Sequence, residues 1–188
     1  LLRAAVRTLG HNVTFKTQPW SHIKQELADG RIDVLPLVGR SKEREPIFDF
    51  TVPYLSFTGV VVMRHDSKVI TSADDLYHLK VGVMAGDNAE EYLQRKERFQ
   101  SLTTSTTFKD SFKQLHRGEV DAVVVSELVA HKLIRELGAE NFQIVLRLDK
   151  FRQDFCFAVT EGNSKLLSQL NEGLSRVFIN GTHARLMK

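Results

Sequence analysis

The sequence predicts an α/β fold made of two lobes of similar construction. Two stretches, 24–38 and 113–125, each read as an amphipathic helix, a glycine and an apolar strand that an aspartate opens. The shared spacing relates Leu27, Gly30 and Asp33 to Leu115, Gly118 and Asp121. Each helix–strand unit needs a sheet of its own to cover. Two such units about ninety residues apart therefore favour two lobes over one.

Composition excludes several classes of protein. The chain has 188 residues and 42% hydrophobic residues, enough for one large domain or two small lobes. Its 26 basic and 23 acidic residues are interspersed, which is typical of a mixed surface and not of a nucleic-acid-binding stripe. No apolar run reaches the roughly 18 residues of a membrane span, and no signal peptide is visible. The single cysteine, Cys156, excludes an internal disulfide and reads as a buried strand thiol.

Helices and strands alternate in the first part of the chain. Apolar residues three or four apart, with capping residues at the ends, indicate helices, whereas apolar runs between turns indicate strands. The predicted elements are a helix over 1–9, a strand over 13–15, a helix capped by Ser21 that runs to Asp29, and strands over 32–38 and 58–63.

The same reasoning gives the second part of the chain. The predicted elements are a short helix or turn capped by Ser72, a strand over 80–84, a helix over 89–99, a strand over 103–108, a helix capped by Ser126 that runs to Leu137, strands over 144–148 and 155–160, and a final helix capped by Asn163 or Ser164. Because no low-complexity linker is present, we expect two crossing strands to join the lobes. Lobe 1 is predicted to comprise 1–56 plus 153–188, and lobe 2 to comprise 57–152.

Arg44 is the strongest candidate for a binding residue. It follows a strand that ends in a turn at Gly39, the arrangement expected where an anion is held at the carboxyl edge of a sheet. A guanidinium presents a rigid fork that matches a carboxylate. On spacing alone, the simpler interpretation is a surface arginine paired with Glu43 or Glu45.

A resemblance to a known family favours the binding role of Arg44 over the surface role. Four stretches carry it: LADGRIDVLPLVGRSKEREPIFDFTVPY, DDLYHLKVGVMAGDNAEEYL, LHRGEVDAVVVSELVA and FAVTEGNSKLLSQLNEGLSRVFINGT. Together they resemble the type 2 periplasmic solute-binding fold of the polar amino-acid-binding family 3, over nearly the whole chain, and the R-x-x-x-x-D-F-[ST]-x-P-Y element is specific. The resemblance implies a Venus flytrap clamshell, with a mixed sheet flanked by helices in each lobe and two hinge strands between the lobes. The family's first strand would precede Leu1, so we expect the chain to be part of a longer protein.

The resemblance also implies roles for individual residues. Arg44 takes the position of the arginine that clamps the ligand carboxylate. Trp20 takes that of an aromatic residue that stacks on the ligand; without the family it would read as a half-buried core residue. Gly86, Asp87 and Asn88 match the turn of the second lobe that approaches the same carboxylate, at a helix N-terminus suited to anions. The charge of Asp87 would oppose an anion unless its side chain turns away.

Two departures from the family pattern bear on the ligand. Gly39 replaces the family's serine or threonine five residues before the arginine, and Ser41 keeps its place. Ser126 replaces the acidic residue that holds the ligand ammonium. Glu127 is an alternative counter-charge, but successive helical residues point about 100° apart. The pattern predicts a ligand with a carboxylate and no α-ammonium, or a degenerate pocket that signals without tight binding.

We expect this chain to be the extracytoplasmic sensing domain of a membrane-bound signalling receptor. The alternative is the free substrate-binding protein of an ABC amino-acid importer, in which case the partner is an ABC permease. An enzyme on this scaffold is the third possibility, but it needs an acid/base pair that the sequence does not show. The histidines form no i, i+4 pair and have no cysteine partner, so we expect neither a metal nor a cofactor, and no nucleic-acid partner.

Overall fold

The computed structural model describes residues 1–67, 70–96, 98–99, 102–138 and 140–188. Its helices are α1 (Leu2–Arg7), α2 (Trp20–Ala28), α3 (Asn88–Gln94), α4 (Phe108–His116), α5 (Glu127–Leu137), α6 (Ser164–Ile179) and α7 (Thr182–Leu186), with a 3-10 helix over Ala73–His78. Its strands are β1 (Leu35–Gly39), β2 (Phe48–Phe50), β3 (Leu55–Arg64), β4 (Val81–Met84), β5 (Thr103–Ser105), β6 (Ala122–Ser126) and β7 (Phe142–Thr160). Of the described helices, none is both long and apolar enough to span a membrane. The helix predicted over 89–99 ends at Gln94, and Glu97 lies outside the described residues.

The chain divides into two units. The first unit comprises Leu1–Ser56 and Asp154–Lys188, and the second comprises Phe57–Gln153. The chain passes from one to the other near the start of β3 and within β7. Strands were predicted separately over 144–148 and 155–160, but β7 is continuous through the charged residues between them.

The first unit is built around the second half of β7. Both β1 and β2 pair antiparallel with β7, with Gly39 opposite Phe155 and Phe50 opposite Ala158. α1 packs against α6. Asn163 is the N-cap of α6, and its Oδ1 accepts a hydrogen bond from Leu166 N. Cys156 is fully buried in this part of β7, and burial raises the pKa of its thiol to about 11. The thiol therefore stays protonated at neutral pH.

The strand predicted over 13–15 does not form. Residues 12–16 and 31–36 instead line a groove of about 380 Å³. A β-strand needs a neighbour to take its backbone hydrogen bonds, and alternation of apolar residues cannot reveal whether one is present. The segment is held by a side chain, because Lys16 Nζ lies 2.7 Å from Glu26 Oε1.

The second unit contains a mixed sheet in the order β7-β3-β6-β4-β5. β4 pairs parallel with both β5 and β6, whereas β3 pairs antiparallel with β6. The central strands are covered on both faces, as their continuous apolar sequence predicts. Ser72 and Ser126 cap the following helices as predicted.

The repeated helix–glycine–strand unit is present once in each half of the structure. α2 leads through Gly30 to β1, and α4 leads through Gly118 to β6. Both glycines have positive φ, 69° and 72°, which a side chain would strain. Leu27 and Leu115 are fully buried at matching positions. The repeat in the sequence therefore corresponds to a repeat in local structure.

Gly59 in β3 gives a direct test of packing in the second unit. A Cβ at this position would lie 1.9 Å from Cδ1 of Phe151, which is 4% exposed and stacks on Tyr92 with ring centroids 4.4 Å apart. We expect Gly59→Ala to lower the free energy of unfolding by about 1–3 kcal/mol, because the ring cannot yield without disturbing the core. Thermal unfolding followed by circular dichroism measures the loss. In a chain that already carries Phe151→Leu, Gly59→Ala should lower the free energy of unfolding by less than it does in the parent chain. An unchanged unfolding midpoint in Gly59→Ala would contradict this packing.

Candidate functional site

Arg44 lies in the turn that follows β1, and its side chain is buried. The residue is only 3% exposed. Its Nη1 donates a 3.0 Å hydrogen bond to the carbonyl oxygen of Gly39, and its Cζ lies 5.2 Å from the centroid of the Trp20 ring. Arg44 is therefore not the surface arginine that spacing alone suggests, and the carboxylate of Glu45 binds Arg40 Nε at 2.8 Å. The guanidinium therefore lies in a protected position at the end of a strand.

The residues that follow Arg44 in the motif fix the position of the turn. Asp49 Oδ2 accepts a 2.9 Å hydrogen bond from Gly162 N. Thr51 Oγ1 accepts one of 3.0 Å from Phe157 N, and the Tyr54 hydroxyl donates to the carbonyl of Pro36. Each bond ties the segment to another part of the first unit. Asp49 thus ties the segment to the loop before α6, and the motif acts as the support for Arg44.

Other polar groups of the first unit are buried without a partner. Ser41 precedes Arg44 in the same turn, where its carbonyl accepts the Arg44 N–H, and its Oγ is buried with no hydrogen-bond partner among the described residues. Gln18 Oε1, two residues before the half-buried Trp20, is in the same situation. A buried polar atom without a hydrogen bond lowers the stability of the fold by about 1–3 kcal/mol. A polar ligand that bonds to such an atom would remove this penalty. Nothing in the sequence marks Gln18, because an unpaired amide is a property of tertiary packing.

The turn over Gly86, Asp87 and Asn88 connects β4 to α3 in the second unit. Asp87 turns back to cap the helix, its Oδ2 accepting a 3.1 Å hydrogen bond from Ala89 N. Glu90 Oε2 accepts a 2.6 Å bond from Gly86 N. Carboxylates of the chain therefore already bind the Gly86 amide of this turn and the Ala89 amide in α3. A ligand carboxylate would compete with Glu90 for the Gly86 amide, a feature that the sequence did not reveal.

Ser126 lies at the end of β6 and is 5% exposed. Its Oγ accepts a 3.4 Å hydrogen bond from Val129 N, so the side chain acts as the cap of α5. The adjacent Glu127 is bound by both terminal nitrogens of Arg147, at 2.5 and 2.9 Å. The charge of Glu127 is thus neutralised within the second unit. It is not an available counter-charge for a ligand ammonium.

The structure brings the predicted residues together within each unit. Arg44, Trp20, Gly39 and Ser41 form one group in the first unit, through the contacts described above. In the second unit, β4 and β6 are parallel neighbours, so the 86–88 turn and Ser126 follow the same edge of the sheet. Within the described ranges, no group of three or more His, Cys, Asp or Glu side chains is placed to hold a metal ion.

Two α/β units with this topology define the class of Venus flytrap proteins, which confirms the predicted fold. The chain belongs to the bacterial extracellular solute-binding proteins, family 3, whose pattern it matches over residues 1–188. The crystal structure of a histidine kinase sensor domain with similarity to periplasmic binding proteins superposes with a TM-score of 0.93 at 29% identity, covering 98% of this chain and 81% of that one.

Two curated relatives show what the family includes. The L-cystine-binding protein TcyJ of Escherichia coli (strain K12) is 30% identical over 177 residues, 93% of this chain and 65% of TcyJ. The virulence sensor protein BvgS of Bordetella pertussis (strain Tohama I) is 26% identical over 149 residues, 79% of this chain and 12% of BvgS. The chain thus spans less than two thirds of either protein. It is similar to amino-acid-binding proteins and to sensor domains alike, in a family of solute-binding proteins and not of enzymes.

Proposed function

We propose that this chain binds a small solute bearing a carboxylate, as the extracytoplasmic sensing domain of a membrane-bound signalling receptor. The observation that carries the proposal is Arg44, a guanidinium 3% exposed at the end of β1. Under this proposal the solute contacts both predicted lobes, lobe 1 with residues 1–56 plus 153–188 and lobe 2 with residues 57–152. A ligand that contacts both lobes favours the closed state by the difference between its affinities for the two states.

The chemistry of the first unit suits one end of such a ligand. A guanidinium carries five N–H donors in a planar fork, so it can hold a carboxylate with two parallel hydrogen bonds while Nη1 also binds Gly39. The ring of Trp20 offers a flat apolar surface beside the cation. The Ser41 hydroxyl, buried without a partner, supplies a further hydrogen bond.

The chemistry of the second unit favours a ligand without an ammonium group. Ser126 is neutral, and Glu127 is already paired with Arg147. A desolvated ammonium without a counter-charge costs several kcal/mol. The turn at Gly86, Asp87 and Asn88 contributes polar groups, although Glu90 holds the Gly86 amide in the absence of ligand. Keto acids, hydroxy acids and dicarboxylates fit these groups better than amino acids do.

A receptor role is supported by the similarity to a histidine kinase sensor domain and to BvgS. The second candidate is the free substrate-binding protein of an ABC amino-acid importer, which the 30% identity to TcyJ favours. The sequence of the complete gene separates the two: a receptor encodes a membrane segment and a signalling domain after Lys188, whereas an importer component does not. We propose no enzymatic activity for either.

A thermal-shift screen of matched pairs tests the ligand class. The pairs are glutamate with 2-oxoglutarate, alanine with pyruvate, and aspartate with succinate, with both members of a pair at the same concentration. A ligand present at 100 times its dissociation constant stabilises the chain by about 2.7 kcal/mol, or roughly 5–10 °C for a chain of this size. We expect at least one amine-free carboxylate to give such a shift and its amino-acid partner to give less than half of it.

The methyl ester of the active carboxylate is the internal control of the screen. It should give no shift, because it cannot form the paired hydrogen bonds with Arg44. Larger shifts from the amino-acid member of every pair would contradict the proposal that Ser126 excludes an ammonium. Equal shifts from the acid and its ester would contradict a carboxylate ligand.

A further inference from the structure

A second cavity lies entirely within the second unit. It has a volume of about 310 Å³, within the range of small-molecule pockets. The 3-10 helix, the end of α3 and the first half of β7 form its walls. It contains neither Ser126 nor any residue of the 86–88 turn. The proposed solute site does not account for it.

The walls of this cavity are aromatic and aliphatic. Leu76 and Leu148 are almost fully buried beneath it. The rings of Tyr77 and Phe99 have centroids 4.7 Å apart, and Tyr92 is held by its stacking on Phe151 at 4.4 Å with an angle of 11° between the planes. A rigid aromatic wall of this kind favours a flat apolar molecule, since rings pack well in offset or edge-to-face arrangements.

Two tyrosine hydroxyl groups belong to residues that line the cavity. Tyr77 and Tyr92 both line it, and neither hydroxyl makes a hydrogen bond to a described residue. Tyr92 is 9% exposed, so its Oη is a polar group held in an otherwise buried side chain. Burial and the nearby Tyr77 phenol raise the pKa of Tyr92, so the group stays protonated and can donate. Both phenols are thus suited to an acceptor atom on a ligand.

The charge beside the aromatic wall is positive. Lys96 Nζ lies 5.3 Å from the centroid of the Tyr92 ring. Arg147 also lines the cavity, but its guanidinium is committed to Glu127. Asp74, Asp149 and Lys150 are exposed at the rim, where solvent screens them. Arg98 Cζ lies 5.4 Å from the centroid of the Tyr77 ring. Lys96 beside Tyr92 and Arg98 beside Tyr77 therefore favour an anionic acceptor over a cationic group.

We propose that this cavity binds a small molecule that combines a single aromatic ring with a carboxylate. The ring packs against Tyr92, Leu76 and Leu148, and the carboxylate accepts hydrogen bonds from the tyrosine hydroxyls beside Lys96. The site is separate from the one proposed around Arg44, and neither proposal depends on the other.

Titration with benzoate, followed by NMR on the whole 188-residue chain, tests the site. We expect the amides of the 3-10 helix and α3 to shift with benzoate. Benzylamine and benzyl alcohol should bind about tenfold more weakly, since each lacks the anionic acceptor. Benzylamine that binds as tightly as benzoate, or shifts confined to the first unit, would overturn the proposal.

Single substitutions test which side chains of the cavity contact benzoate. Tyr92→Phe removes the hydroxyl and keeps the ring, so it should weaken benzoate binding about fivefold while the fold is retained. Lys96→Met should weaken it by a similar factor, whereas Lys132→Met, an exposed lysine of α5, should not. Arg44→Ala should leave benzoate binding in the second unit unchanged, which separates this site from the solute site. If Tyr92→Phe and Lys96→Met both bind benzoate like the parent chain, the site is wrong.

Discussion

Replacing Arg44 with alanine should abolish binding of the carboxylate ligand. Truncating one partner of a buried, hydrogen-bonded charge pair costs about 2–5 kcal/mol, and Arg44 is 3% exposed. We therefore expect the dissociation constant to rise by roughly 30-fold to several thousand-fold. Isothermal titration calorimetry with the acid identified by the screen gives the ratio. The loss should appear for every carboxylate that binds at Arg44, because the head group is common to all.

Arg40 provides a matched control in the same turn. Its side chain is 54% exposed and paired with Glu45, so Arg40→Ala removes an arginine of equal charge from the surface. We expect its effect on the dissociation constant to stay within about threefold, as for other exposed ion pairs. Arg44→Lys keeps the charge and loses the fork, and it should recover only part of the affinity. Equal losses in Arg40→Ala and Arg44→Ala would show that net charge, and not the clamp, governs binding.

Ser126→Asp should shift the ligand preference of the chain toward amino acids. The new carboxylate would supply the counter-charge that Glu127, paired with Arg147, does not. Aspartate is also a good N-cap, so the start of α5 should be preserved. A charge-assisted hydrogen bond to an ammonium is worth about 1.5–3 kcal/mol, so we expect amino-acid affinity to rise by about 10- to 150-fold. The amine-free acid should bind more weakly than to the parent chain.

Ser126→Asn is the control for this gain. Asparagine has the shape and capping ability of aspartate without its charge. It should leave the preference for amine-free acids in place. The same gain in Ser126→Asn and Ser126→Asp would contradict an electrostatic origin. No gain in either variant would show that the ligand ammonium, if present, does not lie near residue 126.

Local features of the structure could be predicted from the sequence where the cause is local. Ser126 caps a helix because its Oγ accepts a bond from an amide three residues away. Ser72 starts a helix together with Asp75, whose Oδ2 accepts a bond from Ser72 N. Gly30 and Gly118 allow the left-handed turn that each helix end needs. The strand over 13–15 could not be judged in the same way, because its formation depends on a neighbour distant in the chain.

The charged residues between 148 and 155 hid the continuity of β7. Here Phe151 and Gln153 are buried while Arg152 is exposed, so the strand persists through alternation and not through an apolar run. β2 was missed because its three residues lie inside the motif that follows Arg44. Both cases depend on pairing with distant strands.

The same distinction between local features and contacts of distant residues applies to the proposed solute site. Arg44 could be predicted because its motif is recognisable, and Asp49, Thr51 and Tyr54 in that motif hold its turn in place. The Glu90 carboxylate on Gly86 and the Arg147 pair on Glu127 join residues whose contacts depend on packing. These two contacts decide which charges remain for a ligand.

A crystal structure of the chain with its amine-free carboxylate shows directly whether Arg44 holds the ligand. Both carboxylate oxygens should lie about 2.7–2.9 Å from nitrogen atoms of Arg44, in the paired geometry of an arginine fork. The apolar part of the ligand should lie against the ring of Trp20. A carboxylate bound away from Arg44, with the guanidinium still directed only at the chain's own groups, would contradict the proposed carboxylate site.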